Sequence, residues 1–142
     1  MKKGLVRKIV SNAYTVVDHE TGEDVLCSAS GKLRHVRVSD VEAYGTRQTD
    51  RTKKETGIVR MSPKVGDHVN YDVTDGHAVI RTIMERENAL DRPDVANVDQ
   101  VLLVFSAVRP DFSFSLFDTF LVILSMRGIR PVTVITKTDL PD

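Results

Sequence analysis

The sequence predicts a β barrel of the OB-fold type followed by one strand–helix–strand unit of an α/β fold. Three observations carry this. Positions 4–84 hold five short stretches rich in β-branched residues, separated by turn residues and by one long irregular link after the third. That is the layout of a small five-stranded barrel. From residue 98 the pattern becomes a continuous apolar run, an apolar stretch of helical length and a second β-branched run, the order that builds a parallel sheet. Between them lies a polar stretch, residues 86–94, broken by Pro93. The predicted organisation is a barrel over 1–85, a linker over 86–97 and an α/β unit over 98–142.

Each element has a local reason. Residues 4–10 form the first strand, with Leu5, Val6, Ile9 and Val10 apolar and Arg7 and Lys8 between. Ser11, Asn12 and Ala13 turn the chain into a second strand over 14–18, and Glu20, Thr21 and Gly22 turn it again. The third strand, 24–29, puts Val25, Cys27 and Ala29 on one face. Residues 30–64 are charged and lack a regular pattern, and 44–57 hold almost no large apolar residue. Such a stretch buries too little to offset its ordering entropy, so a mobile basic loop is predicted over about 44–60. A fourth strand leads from Lys64 through Val73. Thr74, Asp75 and Gly76 form an Asp-Gly hairpin turn into a fifth strand over 77–84, with Val79, Ile80 and Ile83.

In the second half, residues 98–107 suit a strand covered on both faces. Pro110 and Asp111 end it. Ser113 and Ser115 offer N-caps, and Ser115 with Asp118 has capping-box spacing. A helix is predicted over 114–127, apolar at Phe117, Phe120, Leu121 and Leu124 and stopped by Gly128. The last strand spans 129–135. Two parallel strands and one helix leave an apolar sheet face and a strand edge bare, so further chain or another molecule is expected to cover them.

Composition narrows the function classes. The formal net charge of zero hides an asymmetry: residues 1–64 carry 13 Lys and Arg against 8 Asp and Glu, and residues 65–142 carry 7 against 12. A basic first half points to a polyanion partner, with a merely solvated surface as the other reading. A single cysteine, Cys27, excludes an internal disulfide and fits a reducing compartment. The sequence shows no secretory leader pattern and no apolar run of membrane-spanning length. A cytoplasmic monomer without membrane contact is expected. The four histidines, His19, His35, His68 and His77, are scattered and show no zinc-ligand spacing.

OB barrels hold single-stranded nucleic acid along strands two and three. The candidate RNA contacts are Arg7, Lys8, Tyr14, Lys32, Arg34 and Arg37, with Arg51, Lys53 and Lys54 in the basic loop. Tyr14 has two readings, a stacking platform for a base or a strand aromatic packed at the barrel surface. Lys32 and Arg34 reach phosphates or are simply solvated. The loop orders on a polyanion or is a tolerated insertion.

The last strand ends in Thr136, Lys137, Thr138 and Asp139. This has the shape of the guanine-reading motif usually written Asn-Lys-x-Asp. Asp139 is placed to accept two hydrogen bonds from the guanine ring N–H and exocyclic amine. Lys137 is expected to lay its stem along the purine face with its charge in water. Gly-x-x-x-x-Gly-Lys-Ser/Thr occurs nowhere in the 142 residues. Gly31-Lys32 is no phosphate loop, being followed by Leu33 with Leu26 at the upstream place.

The order of barrel, Asn88-Ala-Leu-Asp-Arg-Pro93, Val95-Ala-Asn-Val-Asp-Gln100, Leu116-Phe-Asp-Thr-Phe-Leu-Val122 and Thr136-Lys-Thr-Asp-Leu140 resembles the RsgA (YjeQ/YloQ) family of ribosome small-subunit-dependent, circularly permuted GTPases. The likeness also takes in Cys27, Gly31-Lys32 and Val65-Gly66-Asp67 with Val69. Thr136 stands where Asn is commoner, Ser30 where Arg is frequent, and Phe117-Asp-Thr-Phe120 where Leu-Asp-Arg-Phe is usual. The resemblance implies that residues 98–142 are the first β-α-β unit of a circularly permuted α/β P-loop-type GTPase domain. It implies a 30S subunit and 16S rRNA as partners, GTP or GDP with Mg²⁺ as nucleotide, and zinc in a C-terminal domain outside these residues. Without a phosphate loop, this chain alone is expected not to hydrolyse GTP. The alternative is a stand-alone OB-fold RNA-binding or interaction module without nucleotide chemistry.

Overall fold

The structure, a computed structural model, describes residues 1–34, 36–37, 58–59 and 61–140. The chain divides into two compact units, Met1–Asn97 and Val98–Asp142.

The first unit contains β1 (Lys2–Val10), β2 (Ala13–Asp18), β3 (Asp24–Ala29), a 3-10 turn at Gly31–Arg34, β4 (Val36–Arg37), β5 (Ile58–Val59), β6 (His68–Thr74), β7 (His77–Ile83), β8 (Ala89–Asp91) and β9 (Asp94–Ala96). Strands β1, β2, β3, β7 and β6 close a barrel in that order. The β3–β7 pairing is parallel and the other four are antiparallel. This is an OB-like barrel. Alternation along the strands sends Val6, Tyr14, Val16, Cys27, Val69, Tyr71, Ile80 and Ile83 inward, all buried.

Two bulges re-aim side chains. On β1 the register slips between Val6 and Lys8, so Arg7 has no cross-strand mate and pairs with Asp24. On β7 the partner register slips between Asn70 and Tyr71. That slip lets Ile80 and Ile83, three residues apart, both face the core.

Buried charge sets the barrel ends. Asp18 closes β2 with its carboxylate accepting from the backbone N–H groups of Glu20 (2.8 Å) and Thr21 (3.0 Å) and from the Tyr71 hydroxyl. The Tyr71 bond, then the two backbone donors, hold its carboxyl down at about 2. Desolvation and the same Asp18 bond push the Tyr71 phenol well above its usual range. On the approach to β6, the Asp67 carboxylate takes Arg86 through Nε and Nη2, both at 2.7 Å, and accepts from the Lys64 N–H at 2.6 Å. Both ionic side chains are essentially fully buried. Such a bidentate pair is the geometry in which a buried charge is tolerated.

Residues 86–97, expected as a polar linker, instead form the β8–β9 hairpin of the first unit. Ala89, Leu90 and Ala96 are buried. Lys64, itself buried, reaches into the hairpin to the Leu90 carbonyl (2.8 Å), Asp91 (3.1 Å) and Asp94 (2.6 Å). Polar composition suggested a linker because these charges are in fact mated inside the unit. Gly66 makes the close approach possible: a Cβ there would lie 2.1 Å from the Ala96 carbonyl oxygen. The loop expected over about 44–60 lies, apart from Ile58 and Val59, outside the described residues, as do Arg51, Lys53 and Lys54.

The second unit is β10 (Val101–Ser106), α1 (Phe114–Met126) and β11 (Pro131–Thr136). The strands pair in parallel from Val101↔Pro131 to Ser106↔Thr136. Phe105 fixes the helix and the preceding loop, with ring centroids 5.2 Å from Phe112 and 5.4 Å from Phe117. Ser113 is the N-cap and accepts from the Leu116 N–H. The Ser115–Asp118 box is not formed, since the helix has already begun at Phe114 and the Ser115 carbonyl takes the Thr119 hydroxyl. At the other end the Gly128 N–H reaches Ser125 and the Ile129 N–H reaches Leu124, with Gly128 at φ 68°. This is a Schellman stop. The bare surface expected from the sequence is present. Leu102, Val104 and Val132 lie exposed on the strands, and Phe114, Val122 and Met126 on the helix.

Two stability predictions follow from the buried charges. Arg86→Leu leaves Asp67 buried without its counter-ion and lowers unfolding free energy by about 3–5 kcal/mol in urea titration. Asp18 has a depressed folded-state pKa, so its contribution is complete above the unfolded value of 3.8 and is lost as pH falls through about 2. Thermal melts between pH 5 and about 2 are expected to fall less steeply for Asp18→Asn than for the parent.

Candidate functional site

The carboxyl ends of β10 and β11 form one edge, the place where α/β sheets bind ligands. The paired residues Ser106 and Thr136 are the last of each strand. Thr136 donates its hydroxyl to the Phe105 carbonyl (3.2 Å), and its own carbonyl accepts from Ala107 (2.9 Å). Where Asn is commoner, this threonine therefore braces the neighbouring strand. Lys137 then turns the chain out at φ 57°, and Arg109 on the facing loop sits at φ 49°. A left-handed conformation costs a non-glycine residue about 1–2 kcal/mol, and such strain collects at binding sites. The two residues are tied together, for the Lys137 ammonium donates to the Arg109 carbonyl. Lys137 is exposed, so its charge stays at the solvent-facing surface while it bridges the two loops. Thr138 and Asp139 occupy the turn that the Leu140 N–H closes onto Lys137, and both are exposed.

Sequence reasoning placed Thr136, Lys137, Thr138 and Asp139 together, and the structure does so. It missed Arg109, whose contribution is a backbone carbonyl and so leaves no side-chain signature; the only signal was the strand break before Pro110. The edge presents the exposed Asp139 carboxylate. Among the described residues no group of three or more His, Cys, Asp or Glu is placed to hold a metal ion.

The barrel candidates separate. Arg7 and Lys8 are exposed on β1, with Arg7 paired to Asp24. Tyr14 is 6% exposed and belongs to the core cluster, which fits the packed reading better than an outward stacking face. Lys32 and Arg34 lie on the 3-10 turn and Arg37 on β4. Arg51, Lys53 and Lys54 fall outside the described residues. No helix among the described residues is long and apolar enough to cross a membrane.

A family model described as RsgA GTPase matches residues 83–142. A protein of Onion yellows phytoplasma named small ribosomal subunit biogenesis GTPase RsgA is 39% identical over 99% of this chain. The chain belongs to the RsgA family. It covers 42% of that phytoplasma RsgA and so spans about two fifths of the length of the curated relatives it matches. Two solved structures share the architecture. YloQ, described as a circularly permuted GTPase, superposes with a TM-score of 0.64 at 36% identity, covering 100% of this chain and 42% of YloQ. YjeQ from Thermotoga maritima gives 0.69 at 35% identity, covering 99% of this chain and 43% of YjeQ. The region shared with these RsgA relatives is their N-terminal part, the barrel and the strand–helix–strand unit.

Proposed function

We propose that this chain is the RNA-binding and guanine-reading part of a GTPase that acts in biogenesis of the small ribosomal subunit. The observation that carries the reading is the edge of the second unit. Lys137 is pinned to the Arg109 carbonyl, which leaves Asp139 exposed on a fixed turn as a two-oxygen acceptor. Guanine offers two adjacent donors to such a group, and adenine does not. The RsgA relatives carry the name that fits this nucleotide.

The division of labour follows from chemistry. A base contact selects the nucleotide, whereas hydrolysis needs backbone amides, a lysine and Mg²⁺ around the phosphates. The 142 residues contain no Gly-x-x-x-x-Gly-Lys-Ser/Thr, so in this reading the phosphates, the Mg²⁺ and the hydrolytic step belong to the remaining length of an RsgA protein. The same remainder covers the bare apolar surface of β10, β11 and α1 and carries the zinc domain. The partner of the barrel is 16S rRNA within the 30S subunit. Arg7, Lys8, Lys32, Arg34, Arg37 and the Arg51, Lys53 and Lys54 cluster supply phosphate contacts. The protein works as a cytoplasmic monomer.

In a protein of the relatives' full length, Asp139→Asn moves preference from GTP toward XTP, because the hydrogen-bond pattern at the base inverts. Competition binding with the two nucleotides reads this, and unchanged GTP selectivity removes Asp139 from the site. Reversing charge at Lys32 and Arg34 weakens 30S association and flattens the plot of log K against log salt by roughly 1.5. An unaltered slope makes both residues solvated bystanders.

A further inference from the structure

A pocket of about 290 Å³ opens at the end of the barrel where β1 turns into β2. Ile9, Tyr14 and Met61 give it an apolar wall, and Asn12, Ser62 and Asp94 bring polar groups to it. Tyr14 is the informative residue. It is 6% exposed, yet its hydroxyl has no hydrogen-bond partner among the described residues. A phenol buried to this degree ordinarily finds one. No fully buried side-chain N or O among the described residues lacks a partner, so this hydroxyl is reached from the open space of the pocket it lines. A hydroxyl open to the pocket and without a partner among the described residues is available to a ligand.

Asp94, another residue of the lining, defines that ligand. Asp94 accepts hydrogen bonds and donates none. One of its oxygens is 2.6 Å from the Lys64 ammonium, which it shares with Asp91, so its repulsion toward a polyanion is reduced. The volume lies at the small end of ligand pockets, which suits a single planar ring system better than a whole nucleotide. The β1–β2 turn is also one of the loops through which OB barrels meet nucleic acid, and exposed Arg7 and Lys8 lie just before it on β1.

We propose that this pocket takes one unpaired, amino-bearing nucleobase of an RNA strand, with Asp94 accepting from the exocyclic amine and the Tyr14 hydroxyl bonding the ring edge. The proposal rests on the RNA-binding reading of the barrel and adds to it a base preference. Cytosine, adenine and guanine present the amine, whereas uracil presents a carbonyl that the Asp94 carboxylate rejects.

The test measures binding of the 142-residue chain to labelled oligocytidylate, oligouridylate and an abasic strand of equal length. Oligocytidylate is expected to bind about tenfold tighter than oligouridylate, the scale of one hydrogen bond to a charged group. Asp94→Asn, which leaves Lys64 on Asp91 and the Leu90 carbonyl, brings the two to about equal affinity because an amide both donates and accepts. Tyr14→Phe weakens oligocytidylate several-fold with no loss of Tm, since the hydroxyl bonds nothing inside the described chain. Equal binding of all three strands overturns the pocket while leaving the RNA reading intact, and no binding of any strand overturns both. A fall in Tm for Tyr14→Phe with the cytosine preference intact makes the hydroxyl structural and also overturns the proposal. Free cytidine monophosphate competing as tightly as the oligomer does so as well, because the pocket then serves a nucleotide and not a strand.

Discussion

The buried pair of Asp67 and Arg86 is the interaction on which the first unit depends. Asp67 sits just before β6 and Arg86 three residues after β7, so one bidentate contact fixes where the last barrel hairpin begins and where it leaves. The same carboxylate holds the Lys64 backbone, and Lys64 in turn holds the β8–β9 hairpin. Beside them the Gly66 N–H donates to the Val6 carbonyl, and the Val6 N–H donates to the Asp67 carbonyl. The segment 64–67 is thus locked between β1 and the hairpin. Remove the ion pair and each neighbouring contact loses its footing, because a lone buried charge costs more than the hydrogen bonds around it return. The hairpin also delivers Asp94 to the mouth of the pocket beside Tyr14. A polar network that is costly to break therefore positions a polar surface for use.

The second unit works by a different economy. Its helix is apolar nearly all round, and one face of its two-stranded sheet is bare. A helix of that kind belongs in the middle of a layered α/β domain. What the unit already has is order at one edge. The Phe105 cluster places the loop after β10, that loop offers the Arg109 carbonyl, and Lys137 clamps onto it. Selection of a base and handling of its phosphates are separable tasks, and the proposed role of this edge is the first.

Much of this was legible in the residues. The five strands and the helix fall within a few residues of their expected places, because alternation, the Asp75-Gly76 turn and the Gly128 stop are local signals that tertiary packing did not override. The guanine-type motif was legible because Lys-x-Asp after a β-branched run is a side-chain pattern. Residues 86–97 were misjudged for a physical reason: composition records charge but not whether it is mated, and Lys64, Asp91 and Asp94 meet only in three dimensions. Tyr14 shows the same limit, since alternation tells that a residue faces inward but not that its hydroxyl ends in a pocket. Arg109 acts through its backbone, where sequence carries no chemistry to read.

The most direct test of this division between an RNA-facing barrel and a guanine-reading edge is a cryo-EM reconstruction of the full-length protein on the 30S subunit with a non-hydrolysable GTP analogue. The expected density has the β1–β2 end of the barrel against rRNA, a base beside Tyr14 and Asp94, and the guanine ring opposed to Asp139. A barrel facing solvent, or a guanine held away from the Thr136–Asp139 turn, contradicts it.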